Sequence, residues 1–245
     1  MSEAPATLSP QAEARGMSLP ARVVGILTSP RETFADVVAR PRWFGVMALV
    51  LVITALCFAV FFSTQVGQTA FLDQAVEQAR KAGREIPEAQ WAVTQKMATY
   101  MWVIYPVVTL LLVPVFWLVI CGLLFAVFNA ALGGTATFKQ LWAVFIHSTA
   151  VSVVQQLLVW PMNYARESMS SATNLAVFLP MLDESSFLAK FLGTIDLFLV
   201  WWIVILSIGL AVLFKRKTGP IAAGLFVIYG VIAVIVAAFW GRGGA

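Results

Sequence analysis

Two ionisable side chains interrupt the long apolar runs of this 245-residue sequence: His147, in the run 141–162, and Asp196, in the run 191–214. An imidazole and a carboxylate can share a hydrogen bond, and such a pair can tie two helices together or relay protons. Both kinds of chemistry require that the two side chains lie at the same depth when the runs are placed side by side.

The depth of each side chain follows from helix geometry. At about 1.5 Å per residue, His147 lies about 14 Å from an edge near Phe138, and Asp196 lies about 12 Å from the opposite edge near Leu188. In an apolar layer about 30 Å thick, Asp196 is then about 18 Å from the first edge. The sequence therefore predicts a hydrogen-bonded pair. Three interpretations stay open: a structural clamp, a proton or ion relay, and two unpaired groups that face headgroups or loop water.

The composition places these runs in a membrane. Hydrophobic residues make up 60% of the chain and charged residues 11%, whereas a typical soluble domain is about half apolar and about a quarter charged. So little charge is insufficient to solvate the surface of a globular protein of this size. The formal net charge of +4 is small and does not indicate a nucleic-acid partner. The expected fold class is all-α, in a polytopic membrane protein.

Five runs are long and apolar enough to form transmembrane helices, which need about 20 residues. They cover about 44–62, 101–128, 141–162, 191–214 and 220–240. The third run is the weakest of the five because it contains His147, Gln155 and Gln156. Together the runs predict a five-span transmembrane domain over residues 43–241.

Further segments flank or connect these spans. Residues 1–17 are rich in Ala, Pro, Ser and Glu, which predicts a disordered N-terminal tail. Residues 18–42 predict amphipathic interfacial helices, which we call the lead-in. In the first loop, residues 63–99, apolar residues recur at helical intervals on both sides of Pro87. This pattern predicts a helical hairpin in the first extramembrane loop.

Lysines and arginines near the span ends predict the orientation, because cytoplasmic loops are enriched in them. Arg31, Arg40 and Arg42 precede the first run, and the turn 215–217 reads Lys-Arg-Lys. Five spans put both groups on the same side of the membrane, together with Lys139. We therefore expect the N-terminus in the cytoplasm and the C-terminus outside.

The stretch Ser-Pro-Arg-Glu predicts how the second helix of the lead-in begins and ends. Ser29 and Glu32 have the spacing of a capping box, in which each side chain accepts a hydrogen bond from the backbone N–H of the other residue. Pro30 suits the first helical turn because it lacks only an N–H that would have been unpaired. Pro41 ends the helix near Arg40, since proline disfavours helical backbone in the residue before it.

One side of this short helix is apolar and consists of Phe34, Val37 and Val38. A helix of this length is not stable alone in water, so it needs an interface. One such interface is the cytoplasmic leaflet, where Arg40 and Arg42 would meet anionic lipid. The other is docking against the spans of the protein itself. Both interfaces stay open at this point.

Sequence motifs for catalysis or cofactor binding do not occur. The sequence has no nucleotide-binding glycine loop, serine-hydrolase elbow or zinc-protease motif. A single histidine cannot form a multi-histidine metal site. Cys57 and Cys121 both lie in apolar runs, and we interpret them as small core residues. The sequence therefore predicts no enzyme activity, no catalytic residue and no cofactor or metal.

Three stretches carry a family resemblance. They are RVVGILTSPRETFADVVARPRW at 22–43, LGGTATFKQLWAV at 132–144 and DLFLVWWIVILSIGL at 196–210. In this order, and with the five-run layout, they resemble the Yip family of multispan membrane proteins, specifically its bacterial members. The resemblance covers about residues 19–238.

The resemblance implies a five-span, all-helical membrane protein with a cytoplasmic N-terminus. Eukaryotic members of the family are linked to Rab-type GTPases and to vesicle traffic between endoplasmic reticulum and Golgi. That role is not carried over, because the N-terminal tail is short here and the resemblance is to bacterial members. The family also supplies no catalytic residues.

The expected function is that of a non-catalytic membrane protein of the Yip type, acting as a scaffold, an adaptor or a membrane-organising factor in a bacterial inner membrane. Its partners would be the lipid bilayer and either another membrane protein or a second copy of the chain. The alternative is a transporter or channel subunit that uses the His147/Asp196 pair. Pro106 and Pro114 in the second run favour that alternative, since broken helices and buried charge are typical of transport pathways.

Overall fold

The computed structural model describes residues 16–183 and 186–239, and it confirms the all-α prediction. Within these residues the chain forms helices, turns and one isolated antiparallel bridge between Asn174 and Asp196. Residues 1–15 of the predicted tail lie outside the described residues, as does Trp240 at the end of the last predicted span.

In chain order the helices are α1 (Leu19–Thr28), α2 (Pro30–Ala39), α3 (Phe44–Ser63), α4 (Gln65–Lys81), α5 (Glu88–Ala98), α6 (Met101–Phe125), α7 (Phe138–Ser148), α8 (Val151–Ala165), α9 (Phe187–Thr194), α10 (Leu197–Leu213) and α11 (Thr218–Phe239). A π-helical turn, Ala126–Ala131, continues α6, and a 3-10 turn, Leu175–Phe178, lies between α8 and α9. The lead-in therefore consists of α1, α2 and the residues beside them.

Among the described residues, four helical segments are long and apolar enough to cross a membrane. They are Phe44–Ser63, Met101–Ala130, Phe138–Ala165 and Thr218–Phe239. These segments correspond to the first, second, third and fifth predicted runs. The remaining run, 191–214, is not one continuous helix, and its crossing of the membrane stays a prediction. The chain breaks at Ile195 and Asp196, whose backbones are extended, and α10 has 17 residues.

The break shortens α10 because Asp196 starts a new helix. The Asp196 side chain accepts hydrogen bonds from the backbone N–H groups of Phe198 and Leu199, as an N-cap does. At about 1.5 Å per residue, α10 is about 26 Å long, slightly less than an apolar core of about 30 Å. Hydropathy alone did not reveal the break, because the residues around Asp196 are apolar.

The third segment is interrupted between α7 and α8, where residues 149 and 150 form a turn. Ser148, Thr149 and Ser152 each donate a hydroxyl hydrogen bond to the carbonyl oxygen three residues earlier, at 2.6, 2.7 and 2.7 Å. Bonds of this kind compete with the regular helix ladder and bend a helix. The part before this turn, α7, lies at the centre of the molecule, since every residue from Leu141 to Ser148 is buried.

Hydrogen bonds join three segments at one end of the bundle: α2, the connection from α6 to α7, and the turn between α10 and α11. The Gln140 side chain, in the first turn of α7, donates to the carbonyl oxygen of Val38 in α2 at 3.3 Å. Arg216, between α10 and α11, donates from Nη2 to the carbonyl oxygen of Leu132 at 2.7 Å. We call this end the basic end, and its cations are Arg31, Arg40, Arg42, Lys139, Lys215, Arg216 and Lys217.

An aromatic cluster packs α3, α6 and α8 together toward the other end. The ring centroids of Phe58 and Trp160 are 4.7 Å apart, and those of Phe62 and Tyr105 are 5.2 Å apart. The connection from α3 to α6 contains α4 and α5, with a turn at Gly83, where φ is +62°. The predicted position of this connection on the outer face stays a prediction.

Candidate functional site

A buried ion pair fixes the lead-in. The Arg22 side chain is 3% exposed, and its Nη2 lies 2.7 Å from Oδ2 of Asp36. The Nε–H of the same guanidinium donates to that oxygen at 2.9 Å. Because Arg22 is in α1 and Asp36 is in α2, the pair joins the two helices through charge-assisted bonds, which are the stronger class of hydrogen bond.

The Arg22 guanidinium also binds the end of α2. It donates to the carbonyl oxygens of Arg40, at 3.0 Å, and Arg42, at 3.3 Å. The last carbonyls of a helix have no partner within the helix, so a cation is well placed there. Since α3 begins at Phe44, Arg22 ties α1, α2 and the entry to the first span into one unit.

Sequence reasoning missed the ion pair of Arg22 and Asp36. One signal was available, because Arg22, Gly25 and Ile26 lie on the same face of α1, and all three are buried. That face is apolar at its other positions, so an arginine on it requires a partner. The partner is 14 residues away, and only the crossing of α1 over α2 brings the two together.

The predicted capping box of Ser29 and Glu32 does not form, and this prediction is wrong. Ser29 makes no side-chain capping bond, and its backbone N–H donates to the carbonyl oxygen of Gly25 at 2.8 Å. Ser29 therefore ends α1 as well as preceding α2, and its N–H is not free for Glu32, whose side chain is exposed. A capping box does form between Thr137 and Gln140, at the start of α7.

The apolar side of α2 docks on the protein itself. Phe34 and Val37 are fully buried and belong to the main core, which includes residues of α7 and α10. Gly209 in α10 makes room for this contact, because a Cβ there would lie 2.6 Å from Val144 and 2.9 Å from the Phe34 ring. Of the two interfaces left open by the sequence, the structure therefore shows docking against the helices.

The arginines of the lead-in have different surroundings. Arg31 and Arg42 have exposed side chains. Arg40 is half-buried, and its Nη1 lies 3.6 Å from Oδ1 of Asp36. The exposed arginines are thus on the outer surface of the docked lead-in, where a lipid headgroup or a protein surface can reach them.

His147 is enclosed in the core. Its side chain is fully buried, and Nδ1 lies 2.7 Å from the carbonyl oxygen of Ala143, one turn earlier in α7. A carbonyl can only accept, so Nδ1 carries the proton in this bond. Nε2 is buried and has no hydrogen-bond partner among the described residues.

Asp196 is bound at the opposite end of α10 from the basic end. Besides the two N–H groups that it caps, its carboxylate accepts from the hydroxyls of Ser171, at 2.9 Å, and Thr173, at 2.6 Å. Its own N–H donates to the Tyr229 hydroxyl at 3.1 Å, and that hydroxyl donates to the carbonyl oxygen of Thr194. Asp196 thus joins the loop after α8, the start of α10 and α11.

The structure does not bring His147 and Asp196 together. Each has its own partners, and neither accepts from nor donates to the other within the described residues. The predicted depth of Asp196 is wrong because the run 191–214 is not one continuous helix. The break places Asp196 at a helix start, where N–H groups bind its carboxylate. Within the same residues, no group of three or more His, Cys, Asp or Glu side chains could hold a metal ion.

Comparison with known proteins gives one family. The model of the Yip1 domain family matches residues 24–241, which include α2 to α11 and nearly all of the described chain. No curated protein and no solved structure matches the chain. The matched range begins two residues after Arg22 and contains its partner, Asp36.

Proposed function

The chain belongs to the Yip1 domain family, and on that premise we propose that it acts as a non-catalytic scaffold or adaptor for other proteins in a membrane. The family and the apolar helices make it an integral membrane protein. We place it in a bacterial inner membrane. The partner that it holds is either a different membrane protein or a second copy of the chain.

One observation carries this proposal: charged side chains within the bundle hold the lead-in and α10 in place. Arg22 and Asp36 lock α1 to α2, and Asp196 caps α10. The lead-in is consequently a fixed surface at the basic end, with Arg31, Glu32 and other side chains exposed on it. A fixed surface loses little conformational entropy when a partner binds, which suits an adaptor.

The proposal includes five spans and a cytoplasmic N-terminus. In support, α10 is apolar, and its buried residues, among them Ile203 and Leu206, pack inside the bundle. It begins beside the loop that follows α8 and ends next to the basic end. Cations concentrate at the basic end, as they do on the cytoplasmic side of membrane proteins. The fourth span, α10, is short, and local thinning of the bilayer accommodates such a length.

The transporter alternative has no supporting observation in the structure. It depended on a His147/Asp196 pair within the membrane, and the two side chains bind different partners. Pro106 and Pro114 lie inside α6, which continues as one helix through both. In the α9–α10 segment, which is also broken, the Asp196 carboxylate accepts hydrogen bonds from the first N–H groups of α10.

Chemical crosslinking in native membranes, followed by capture of the tagged full chain, tests the adaptor role. Three forms are compared: wild type, Arg31→Glu on the exposed face of α2, and Arg84→Glu in the turn between α4 and α5, where the side chain is also exposed. We expect one stoichiometric partner with wild type and Arg84→Glu, and its loss with Arg31→Glu at unchanged thermal stability. Capture that is the same for all three forms, or no stoichiometric partner, contradicts the proposal.

Purified protein in liposomes provides the second arm. An adaptor leaves the rate of proton and ion movement at the level of empty liposomes. A faster rate that Asp196→Asn abolishes would establish the transporter alternative instead.

A further inference from the structure

An open groove runs along the bundle between α6, α10 and α11. Its volume is about 900 Å³, and its walls are almost entirely apolar. Trp202 and Leu206 of α10 form the floor, Leu123 and Val127 line one side, and Ile228 of α11 lines the other. Leu206 is buried, whereas the side chains on both rims are exposed. The groove is therefore open toward the surrounding lipid.

The length of the groove matches one leaflet of a bilayer. Its α11 side extends from Pro220 to Ile232, which is about 18 Å at 1.5 Å per residue. Half of an apolar core of about 30 Å is about 15 Å. Because Pro220 is next to the basic end, the groove starts at the headgroup level on that side and ends near the middle of the membrane.

Three consecutive cations form the mouth of the groove. Lys215, Arg216 and Lys217 line it, and all three side chains are exposed. Arg216 binds the carbonyl oxygen of Leu132, as described above, which brings the turn against the end of α6. In the part of the chain that the structure describes, no carboxylate forms an ion pair with any of these three residues.

The position of the mouth is fixed by packing beneath it. Phe214 stacks on Phe128 with ring centroids 4.8 Å apart and an angle of 20° between the rings. Gly134 allows this contact, since a Cβ there would lie 2.6 Å from the Phe214 ring and 2.7 Å from the carbonyl oxygen of Phe128. The charged turn is thus held in one place relative to the apolar walls.

We propose that this groove binds an anionic phospholipid, with one acyl chain along α11 and the phosphate at Lys215 and Lys217. The apolar walls match the chain, and the unneutralised cations match a negative headgroup. A soluble phosphate would use only the mouth, and a zwitterionic lipid would bring no net charge to it. The inference goes beyond the adaptor role, because it requires only that the bundle lies in a membrane.

Native mass spectrometry of the purified full chain in detergent micelles tests the site, with phosphatidylglycerol as the probe and phosphatidylcholine as the neutral comparison. The variant Lys215→Gln/Lys217→Gln leaves Arg216 in its structural bond. Each cation near an anionic surface raises the binding constant about five-fold. We therefore expect this variant, which lacks two cations, to bind phosphatidylglycerol about thirty-fold more weakly. Its binding of phosphatidylcholine is expected to equal that of wild type, and glycerol phosphate is expected not to displace the lipid.

The charge-matched control is Arg31→Gln/Arg42→Gln, which removes two exposed cations of the basic end outside the groove. We expect this variant to retain the affinity of wild type for phosphatidylglycerol. If it loses as much affinity as Lys215→Gln/Lys217→Gln, the attraction belongs to the whole basic end, and the site proposal is overturned.

A second pair of variants tests the groove without changing charge. Gly224 lines the groove, and a Cβ there meets nothing within 4 Å, so Gly224→Leu projects into the space that the acyl chain would fill. Gly230→Leu is the control, since Gly230 lies on α11 outside the groove and also has open space. We expect Gly224→Leu to lose phosphatidylglycerol binding and Gly230→Leu to keep it. Binding that survives Gly224→Leu, or displacement by glycerol phosphate, overturns the proposal.

Discussion

The third helical segment, α7–α8, and the second, α6 with its π-helical turn, are both apolar but have opposite surroundings. Of the residues in an apolar 18-residue window of each segment, 56% are buried inside the bundle in the third segment, against 6% in the second. The third segment nevertheless has the lower hydropathy of the two, because it contains His147, Ser148 and Thr149. Lipid accepts only apolar side chains, whereas a helix surrounded by protein can satisfy polar ones. Lower hydropathy here indicates a central helix.

The same contrast separates two faces of α10. On one face, α2 and α7 pack tightly on α10 through Phe34, Val144 and Gly209. On its other side α10 forms the floor of the open groove. One helix thus has a face that depends on close packing and a face that lipid can fill, and substitutions on the two faces should differ in cost.

The largest difference is expected between two phenylalanines. Phe34→Ala should lower the free energy of unfolding by about 3–5 kcal/mol, since it empties a fully buried site of the core. Phe116→Ala on α6 should change it by less than about 0.5 kcal/mol, because the Phe116 ring is 63% exposed and lipid or detergent replaces it. Unfolding by SDS in mixed micelles measures both, and equal losses would contradict the assignment of α6 to the lipid-facing side.

Removal of the buried arginine comes next. Arg22→Ala should cost about 3–5 kcal/mol of unfolding free energy, because the Asp36 carboxylate loses its buried partner and keeps only the half-buried Arg40, and because the carbonyl oxygens of Arg40 and Arg42 lose a charged donor. The control is Arg31→Ala, whose exposed side chain should contribute less than about 0.5 kcal/mol. Proteolysis provides a second readout, since a released lead-in should be cut within α1 or α2. An Arg22→Ala protein as stable and as resistant as wild type would show that the lead-in does not depend on the ion pair.

Two glycines sharpen the comparison further. Gly209→Ala should destabilise the protein by about 1–3 kcal/mol, since its methyl group would overlap Val144 and Phe34. At Gly230 in α11 a methyl group meets nothing within 4 Å, so Gly230→Ala should not destabilise the protein. Thermal melting of the two variants in one detergent gives the comparison. If Gly230→Ala loses more thermal stability than Gly209→Ala, the close contact at Gly209 in α10 is contradicted.

The smallest effects concern Asp196 and His147. Asp196→Ala should cost about 1–2 kcal/mol through loss of the cap of α10, and Asp73→Ala in α4, where the side chain is exposed, serves as the control. In a double-mutant cycle with His147→Leu, the coupling should stay below about 0.5 kcal/mol, because the two residues share no partner. A coupling above 1 kcal/mol, the range seen for residues in contact, would restore the predicted pair.

The class and the coarse layout were predictable from the sequence. Hydropathy predicted the all-α membrane protein, and helical spacing with Pro30 and Pro41 predicted α2, observed as Pro30–Ala39. The apolar side of α2 was also predicted through Phe34 and Val37. These features depend on residues close together in the chain, where spacing and backbone preference decide the outcome.

The missed features depend on contacts between distant segments or on competition for one group. The Arg22–Asp36 ion pair requires the crossing of two helices, and the groove requires three helices from both halves of the chain. The predicted capping box at Ser29 does not form because the Ser29 N–H donates to the Gly25 carbonyl oxygen at the end of α1. A local motif does not reveal this competition. The break before Asp196 placed a carboxylate at a helix start, and that removed the predicted pair with His147.

The shared position of the lead-in and the Lys215–Lys217 turn at one end of the bundle is the claim on which this account depends. Single cysteines at Arg31, Arg84 or Lys217, in a chain whose Cys57 and Cys121 are replaced by alanine, test it by labelling with an impermeant maleimide in intact and opened cells. We expect Arg31→Cys and Lys217→Cys to react only after the cells are opened, and Arg84→Cys to react in intact cells. If Arg31→Cys and Lys217→Cys react from opposite sides of the membrane, the account is contradicted.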